Sequence, residues 1–384
     1  MNTIVIKPVK TLNDLKKFVS FPNILYQGDP HYVPVIVEDE LITLSARHNP
    51  VIKDCKTAYW LAFRDGKVVG RIAGIINNEF IYKWGKRYAR FGWIDFIDDP
   101  EVVAKLLETV ENWAIQNGME AINGPLGFTD LDVPGLLIKG FEYKATVLGR
   151  YNYPYYQKYI EDLGYRKDAD WIEYQIDIPQ SIPTRLEQTA QYVTQRYKLK
   201  ALSFNNVNQA FSYLNQIFEI VNQIYGLVYG FVPITKEIGD FYISRYKYLI
   251  DPELISIITD ESDRVIAFGL TMPSYSDVFI KSKGNSLRLK WLIFKGEHKK
   301  TDVIDMYYIG VRPGYIRKGI SSVLMYEIGK KIIKRGFRYA ESNVEYESNF
   351  AIQSLWSHFS HRQHKSRRCY QKYFLSSTRI NDSI

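Results

Sequence analysis

The two halves of this 384-residue chain predict the same order of secondary-structure elements. In the first half, Asp65 and Gly66 form the turn of a predicted hairpin, which is followed by a strand, a helix, a strand, a short helix and a last strand. The second half repeats this order. We therefore predict an α/β (α+β) protein built by tandem duplication. The polar, proline-containing segment Pro179–Arg185 is the predicted linker, so the expected domains are 1–180 and 181–384.

One helix of the first half has signals for both of its ends. Asp99 is placed to cap it, Pro100 suits its first position, and Gly118 suits the position just after its end. Between these residues, apolar side chains recur at helical spacing from Val103 to Ala114. The segment therefore predicts a helix with one buried face.

Composition places the chain among globular proteins. Apolar residues make up 46% and charged residues 24% of the sequence. No apolar run approaches the eighteen or so residues that a membrane helix needs, and the N-terminus lacks the apolar core of a signal peptide. We therefore expect a cytoplasmic protein without a membrane span. The only cysteines, Cys55 and Cys369, are too few for a disulfide framework or a thiolate metal site.

The net charge of +8 is concentrated in two segments. Residues 281–300 hold seven Lys or Arg and one Glu, a net of +6, and residues 361–372 hold five Lys or Arg and no acid, a net of +5. Together they carry +11, so the rest of the chain carries −3. This pattern indicates either a surface for an anionic partner or a solvated basic loop and tail.

The segment "VRPGYIRKGISS", Val311–Ser322, links a predicted strand to a predicted helix. Pro313 ends the strand, and the helix begins near Gly319, where the first-turn amides have no intrahelical partner. Four further side chains could contact an anion: Arg317, Lys318, Ser321 and Ser322. The segment is therefore either a plain junction or a cradle for phosphate. It is neither a P-loop nor a GxGxxG motif.

The longer stretch "VRPGYIRKGISSVLMYEIGKKIIKRGF" resembles the acyl-CoA-binding motif of the GNAT acyltransferase superfamily. Val311, Pro313 and Gly319 match that motif, as does the Gly-Phe at the end of the helix. Ile316 and Ser321 depart from it, because the family usually has Arg or Gln and Gly or Ala there. Downstream, Asn349 matches the start of the family's next helix, and Trp356 stands where that helix usually has Tyr.

The resemblance extends to the first half, where "IDDPE" replaces the glycine-rich loop and its acids would repel a pyrophosphate. It therefore implies two tandem GNAT-like domains, each a mixed, mostly antiparallel sheet flanked by helices, with only the second domain equipped for acyl-CoA. The implied reaction transfers an acyl group, acetyl by preference, to a small-molecule or peptide amine without a metal. The residues implied to line the acyl-CoA are Tyr308, Ile309, Gly310, Val311, Ile316, Arg317, Lys318, Gly319, Ile320, Ser321, Ser322 and Asn349.

A general base must take a proton from the attacking amine. Glu341 and Glu345 lie four residues apart on a predicted strand, so their side chains would share a face, and Asp305 is a third candidate. Each could equally be a solvated or helix-capping acid. With Trp356 in place of the family's usual Tyr, Tyr346 or solvent would have to protonate the departing thiolate.

His358, His361 and His364 recur at a spacing of three, which could place them on one helical face as zinc ligands. No acid or cysteine nearby completes a set, so we expect no metal and place them in a polar tail. There they could join Arg367 and Arg368 in contacting a phosphate of CoA or an anionic acceptor.

Two other functions remain open on the sequence. A tandem GNAT-like protein could bind CoA without catalysis, which the departures at Ile316, Ser321 and Trp356 favour. A Fem-type aminoacyl transferase would use the basic segments to bind tRNA, but no RNA-binding motif is present, so nucleic acid is not an expected partner. The sequence does not predict an oligomeric state.

Overall fold

The computed structural model describes residues 3–374 except 130, 227 and 229, and it divides the chain into two compact units. The first unit runs to Trp171 and also takes Phe279–Leu289 and the chain from Lys365. The second unit comprises Ile172–Val278 and Lys290–His364. The division into domains 1–180 and 181–384 stays a prediction.

The first unit is built on a mostly antiparallel sheet. Its strands are β1 (Val5–Pro8), β2 (Cys55–Arg64), β3 (Lys67–Asn77), β4 (Tyr88–Phe96), β5 (Ala121–Gly124) and β6 (Leu136–Lys139). Its helices are α1 (Leu12–Leu25), α2 (Val37–Thr43), α3 (Asn78–Trp84), α4 (Pro100–Gln116) and α5 (Tyr155–Asp162). Strands β1 to β4 pair antiparallel in chain order, and β4 pairs with β5 in parallel.

The second unit repeats this arrangement. Its strands are β8 (Lys200–Leu202), β9 (Ile255–Thr259), β10 (Val265–Pro273), β11 (Val303–Val311), β12 (Tyr339–Ser342) and β13 (Glu345–Tyr346). The helices after β7 (Arg166–Asp177) are α6 (Thr184–Tyr197), α7 (Val207–Phe211), α8 (Leu214–Tyr225), α9 (Lys236–Tyr246), α10 (Ser276–Ser282), α11 (Ser286–Phe294), α12 (Ile320–Lys334) and α13 (Phe350–Trp356). Strands β8 to β11 pair antiparallel, and β11 pairs with β12 in parallel. The predicted mixed, mostly antiparallel sheet flanked by helices is confirmed.

Each half ends in a long strand that runs through both units. The C-terminal part of β7, Gln175–Asp177, pairs with β12 in the second unit. The last strand, β14 (His361–Tyr373), pairs through Tyr370–Tyr373 with β5 in the first unit. The two halves of the chain therefore exchange their last strands.

Local signals explain the main helix of each unit. Asp99 caps α4 by accepting from the amide of Glu101, Pro100 opens the helix, and Gly118 follows it with a φ of +74°. These signals were all predicted. Helix α12 buries Ile320, Val323, Leu324, Ile328 and Ile332 in the core of the second unit, as its periodicity predicts.

The prediction of a basic tail at residues 361–372 is wrong, because this segment is the buried strand β14. His364, Lys365 and Arg367 are 3%, 1% and 0% exposed. Internal acceptors compensate its charges: Arg368 forms an ion pair with Asp170 at 2.8 Å, and Lys372 forms one with Glu111 at 3.0 Å. From His364 onward the segment is therefore part of a sheet and not a solvated tail.

The histidines also differ from the expectation. The predicted helix around them is short, since α13 ends at Trp356, and His361 and His364 lie on β14. Because side chains alternate along a strand, a spacing of three places them on opposite faces. Within residues 3–374, apart from the three gaps, no group of three or more His, Cys, Asp or Glu side chains could hold a metal.

Candidate active site

The parallel strands β11 and β12 separate part of the way along their length. β11 pairs with β12 only over Val303–Met306, although it pairs with β10 as far as Val311. A bulge in the β10–β11 ladder falls at Tyr307, whose carbonyl accepts a hydrogen bond of 2.9 Å from the side chain of Asn343. The two strands therefore open a cleft beyond Met306, on the side of β11 that leads to α12.

A row of polar side chains crosses the sheet just before this cleft. Asp305 lies directly opposite Glu341 on β12, and Glu341 lies opposite Gln175 on β7, so all three point to one face. The neighbouring residues Ile304, Ala340 and Ile176 point to the other face and belong to the core around α12. Asp305 and Glu341 are 3% and 9% exposed. Buried carboxyl groups in a row are costly, so the row indicates a polar site.

Glu341 forms a buried pair with His364. Their Oε2 and Nε2 atoms are 2.8 Å apart, and the other carboxylate oxygen accepts from Gln175 at 3.1 Å. The Nδ1 atom of His364 is 3.0 Å from the carbonyl oxygen of Glu173, so it must be the donor in that contact. The short contact with Glu341 then needs a proton between the two side chains, either as imidazolium with carboxylate or as imidazole with carboxylic acid. Sequence reasoning missed this role of His364, because only the strand exchange brings it to Glu341.

Glu345 on β13 is a buried acid with a raised pKa. Burial raises its pKa from 4.5 to about 7, although a hydrogen bond from Trp356 opposes the shift. The indole nitrogen of Trp356 donates to Oε1 at 2.7 Å, while Oε2 is buried without a hydrogen-bond partner among the described residues. A buried carboxyl group with one oxygen oriented by Trp356 and a pKa near 7 is suited to general acid–base chemistry.

The prediction that Glu341 and Glu345 share one strand is wrong. β12 ends at Ser342 and a separate strand, β13, begins at Glu345. The hydroxyl of Ser342 accepts from the amide of Tyr174 at 2.8 Å and donates to the carbonyl of Asn343 at 3.1 Å. These side-chain hydrogen bonds interrupt the ladder, so the two acids face different partners.

The third predicted acid, Asp305, lies on the central strand of the second unit beside the bulge. Burial raises the pKa of the neighbouring Tyr307 well above its ordinary value, and the negative charge of Asp305 raises it further. Asp305 therefore contributes a buried acid to the row.

The N-terminus of α12 lies directly after the cleft strand. Gly319 is the cap residue, and no side chain caps this helix, so the first-turn amides of Ile320 and Ser321 are available to an anion. Arg317 and Lys318 are exposed, and Ser321 and Ser322 are half-buried. There is no acid in the first turn. These groups fit the phosphates of CoA.

Two glycines at the junction have roles other than contact with a ligand. Gly319 has a φ of +78°, and a Cβ there would lie 2.9 Å from Cγ2 of Val193 on α6. Gly310 on β11 would place a Cβ 2.4 Å from the ring of Phe268. Packing therefore requires glycine at both positions, and a contact of Gly319 with acyl-CoA stays a prediction. Ile316 is 53% exposed, and Asn349 precedes α13 without capping it through its side chain.

The equivalent position in the first unit is bridged by backbone near Leu126, and a small pocket of about 40 Å³ lies beside it. The carbonyl of Phe91 on β4 accepts from the amide of Leu126, and a Cβ at Gly92 would lie 2.3 Å from the carbonyl oxygen of Leu126. At the start of α4, Asp99 forms an ion pair of 2.5 Å with Arg64. The start of α4 therefore carries acids where α12 carries basic residues, and the absence of a CoA loop from this unit stays a prediction.

The fold is similar to solved structures of GNAT proteins, one of which is a tandem GNAT protein. The chain is similar to a tandem GNAT protein from the clavulanic acid biosynthesis pathway, with a TM-score of 0.54 and 9% identity over 97% of this chain and 98% of the other. It is also similar to a GCN5-related N-acetyltransferase from Sphaerobacter thermophilus, with a TM-score of 0.51 and 11% identity over 96% and 95% of the two chains. The chain thus has a tandem GNAT-like N-acyltransferase fold, as predicted.

Two curated proteins are similar along nearly their whole length. Protein YghO of Escherichia coli strain K12 is 27% identical over 369 residues, which cover 94% of this chain and 93% of that protein. A bacterial ceramide synthase of Caulobacter vibrioides is 25% identical over 375 residues, which cover 95% and 96%. No protein-family model matches the chain. Among its described helices, none has the length and apolarity to cross a membrane.

Proposed function

We propose that this chain is an acyl-CoA-dependent N-acyltransferase whose acceptor is the amine of a long-chain amino alcohol. The buried carboxyl of Glu345, three residues after the end of β12, carries the proposal, because its pKa of about 7 suits a base that must work near neutral pH. The similarity to a ceramide synthase supports the acceptor class, since a ceramide is the amide of a long-chain amino alcohol. It also changes the proposed acyl group from the acetyl group expected on the sequence to a fatty acyl group.

The donor would lie along the open edge of β11 and end at α12. In this proposal Tyr308–Val311 line the pantetheine and acyl portion, because their edge faces the cleft. Arg317, Lys318 and the amides of Ile320 and Ser321 hold the phosphates by charge and hydrogen bonding. Acyl-CoA is a cytoplasmic metabolite, so the proposal keeps the expected location.

The chemistry needs one proton transfer before attack. Oε2 of Glu345 takes a proton from the acceptor ammonium, and the neutral amine attacks the thioester carbon. The C–N bond forms as the C–S bond breaks, and the proton that the attacking nitrogen loses passes through solvent to the departing CoA thiolate. In this scheme Trp356 orients Glu345 through its indole hydrogen bond. The Glu341–His364 pair has a positioning role, because it links β12 to β14.

The test is a thiol-release assay with the full chain. Acetyl-CoA and palmitoyl-CoA are each offered with sphinganine, spermidine and lysine, and the amide is identified by mass. We expect palmitoyl-CoA and sphinganine to give the fastest release. Glu345→Gln should lower kcat by at least about a hundredfold, whereas Glu108→Gln, an exposed acid on α4, should not.

Three results would contradict the proposal or part of it. Absence of micromolar CoA binding in calorimetry would remove the donor site and with it the acyltransferase. Binding without thiol release across the whole panel would instead favour a CoA-binding protein without catalysis. Release with spermidine but not with sphinganine would overturn the acceptor class alone.

A further inference from the structure

Helix α11 (Ser286–Phe294) has apolar side chains on its exposed side. Leu287, Trp291 and Phe294 are 75%, 56% and 88% exposed, while Leu289 and Leu292 on the same helix are 0% and 7% exposed. The helix therefore has a buried apolar face and, opposite to it, a second apolar face in solvent. Single exposed apolar residues are ordinary, but three of them on one face of a helix mark an interaction surface.

The exposed residues form a narrow stripe. They recur at i, i+4 and i+7, which places them within an arc of about 60° at 3.6 residues per turn. The same geometry places Lys290 on one side of the stripe, and Arg288 and Lys295 on the other. The ammonium of Lys295 lies 5.5 Å from the centre of the Trp291 ring. An apolar stripe between two rows of basic side chains is the pattern of a helix that lies in a membrane interface.

The charge around the stripe identifies the partner. Residues 281–300 carry seven Lys or Arg and one Glu, and Arg288, Lys290, Lys295 and Lys299 are exposed. A second copy of this chain would bring the same positive charge to the contact and be repelled. An anionic lipid surface would attract it and would accept the Trp and Phe rings at the headgroup level.

We propose that α11 docks this protein on an anionic membrane surface, with the side chains of Leu287, Trp291 and Phe294 inserted below the headgroups. Lys290, Lys295 and Arg288 then contact lipid phosphates while their aliphatic stems lie along the apolar region. This docking concerns a helix outside the candidate active site and does not rest on the proposed function.

The experiment is vesicle co-sedimentation of the full chain without acyl-CoA or acceptor. Vesicles are either pure phosphatidylcholine or phosphatidylcholine with about 30% phosphatidylglycerol. We expect binding to the second kind only, and its loss at 1 M salt, where the Debye length is about 3 Å. Lys290→Gln with Lys295→Gln should weaken binding by roughly twentyfold, since each basic residue near an anionic surface contributes about fivefold.

The apolar stripe is tested by a triple variant, Leu287→Ser, Trp291→Ser and Phe294→Ser, which leaves the buried face of α11 intact. It should lose binding at least tenfold and unfold at the wild-type temperature. Tyr82→Ser, which changes another apolar side chain that is 88% exposed, is the matched control and should bind as wild type. Equal binding to both kinds of vesicle would overturn the proposal, and so would undiminished binding by the triple variant. Self-association of the wild-type protein that the triple variant abolishes would also overturn it.

Discussion

At the residue scale, Glu345 couples the proposed chemistry to stability. Its folded pKa of about 7 lies above the ordinary value of 4.5, so the native state holds a proton that the unfolded chain releases between these pH values. The free energy of unfolding therefore falls as pH rises from about 4.5 to about 7. Ionised Glu345 is a destabilising group that is retained at a cleft, which is common at functional sites.

Replacing Glu345 with Gln should remove this pH dependence. Gln can still accept from the indole of Trp356 but never ionises in its buried site. The stability of the variant relative to wild type should increase by up to about 3 kcal/mol between pH 4.5 and pH 8. Urea unfolding at the two pH values measures the difference. Glu108→Gln should show no such change, and an equal response of the two variants would contradict the assignment.

The activity of the wild type should rise with pH over the range in which its stability falls. A base works in its deprotonated form, so kcat/KM should rise with pH through a midpoint of about 7. Trp356→Phe removes the hydrogen bond that favours the carboxylate, so we expect this midpoint to rise by about one pH unit. Trp60→Phe, a change of the same size in the core of the first unit, should leave the midpoint in place.

At the scale of elements, α12 is predicted to bind phosphate through its N-terminus. Arg317→Glu with Lys318→Glu should weaken CoA binding by at least about tenfold, because both charges lie beside the uncapped first turn. Isothermal titration with CoA measures the affinity. Lys334→Glu removes a positive charge from the far end of the same helix and should change the affinity little. Equal effects at the two ends would indicate general attraction in place of a site.

Helix α12 also shows how one residue can serve packing and function at once. A side chain at Gly319 would combine a left-handed backbone with contact at 2.9 Å to Val193, so Gly319→Ala should destabilise the fold by about 1 kcal/mol or more. A loss of CoA binding in a Gly319 variant would therefore not by itself identify a phosphate contact. The Arg317 and Lys318 variants avoid this ambiguity because both side chains are exposed.

At the scale of the whole molecule, the exchanged strand β14 should be indispensable. Truncation after Ser360 removes the partner of β5, the ion pair of Arg368 with Asp170 and the ion pair of Lys372 with Glu111. It also removes His364 and leaves Glu341 buried without it. We expect the truncated chain to lose cooperative thermal unfolding. Truncation after Phe374 keeps β14 entire and should retain the wild-type transition; cooperative unfolding of the shorter chain would contradict this role.

The sequence by itself determined the elements that depend on neighbouring residues. The Asp65-Gly66 turn, the Asp99 cap of α4 and the buried face of α12 follow from signals within a few residues of each other. The repeated order of these elements sufficed to predict a tandem duplication, and the resemblance of residues 311–337 to the acyl-CoA-binding motif implied that the repeats are GNAT-like. The contrast between "IDDPE" and "VRPGYIRKGISS" indicated which repeat has the positive helix terminus.

The tertiary structure alone decided the chemical environment of the acids. Residues 361–372 are basic enough to predict a tail, and only pairing with distant strands and acids makes them a buried strand. That strand brings His364 to Glu341. The interruption at Ser342 separates Glu341 from Glu345, whose carboxylate accepts a hydrogen bond from Trp356. The physical reason is that caps, turns and periodicity act between near neighbours in the chain. The partners that protonate or orient a buried carboxyl are chosen by the packing of residues far apart in sequence.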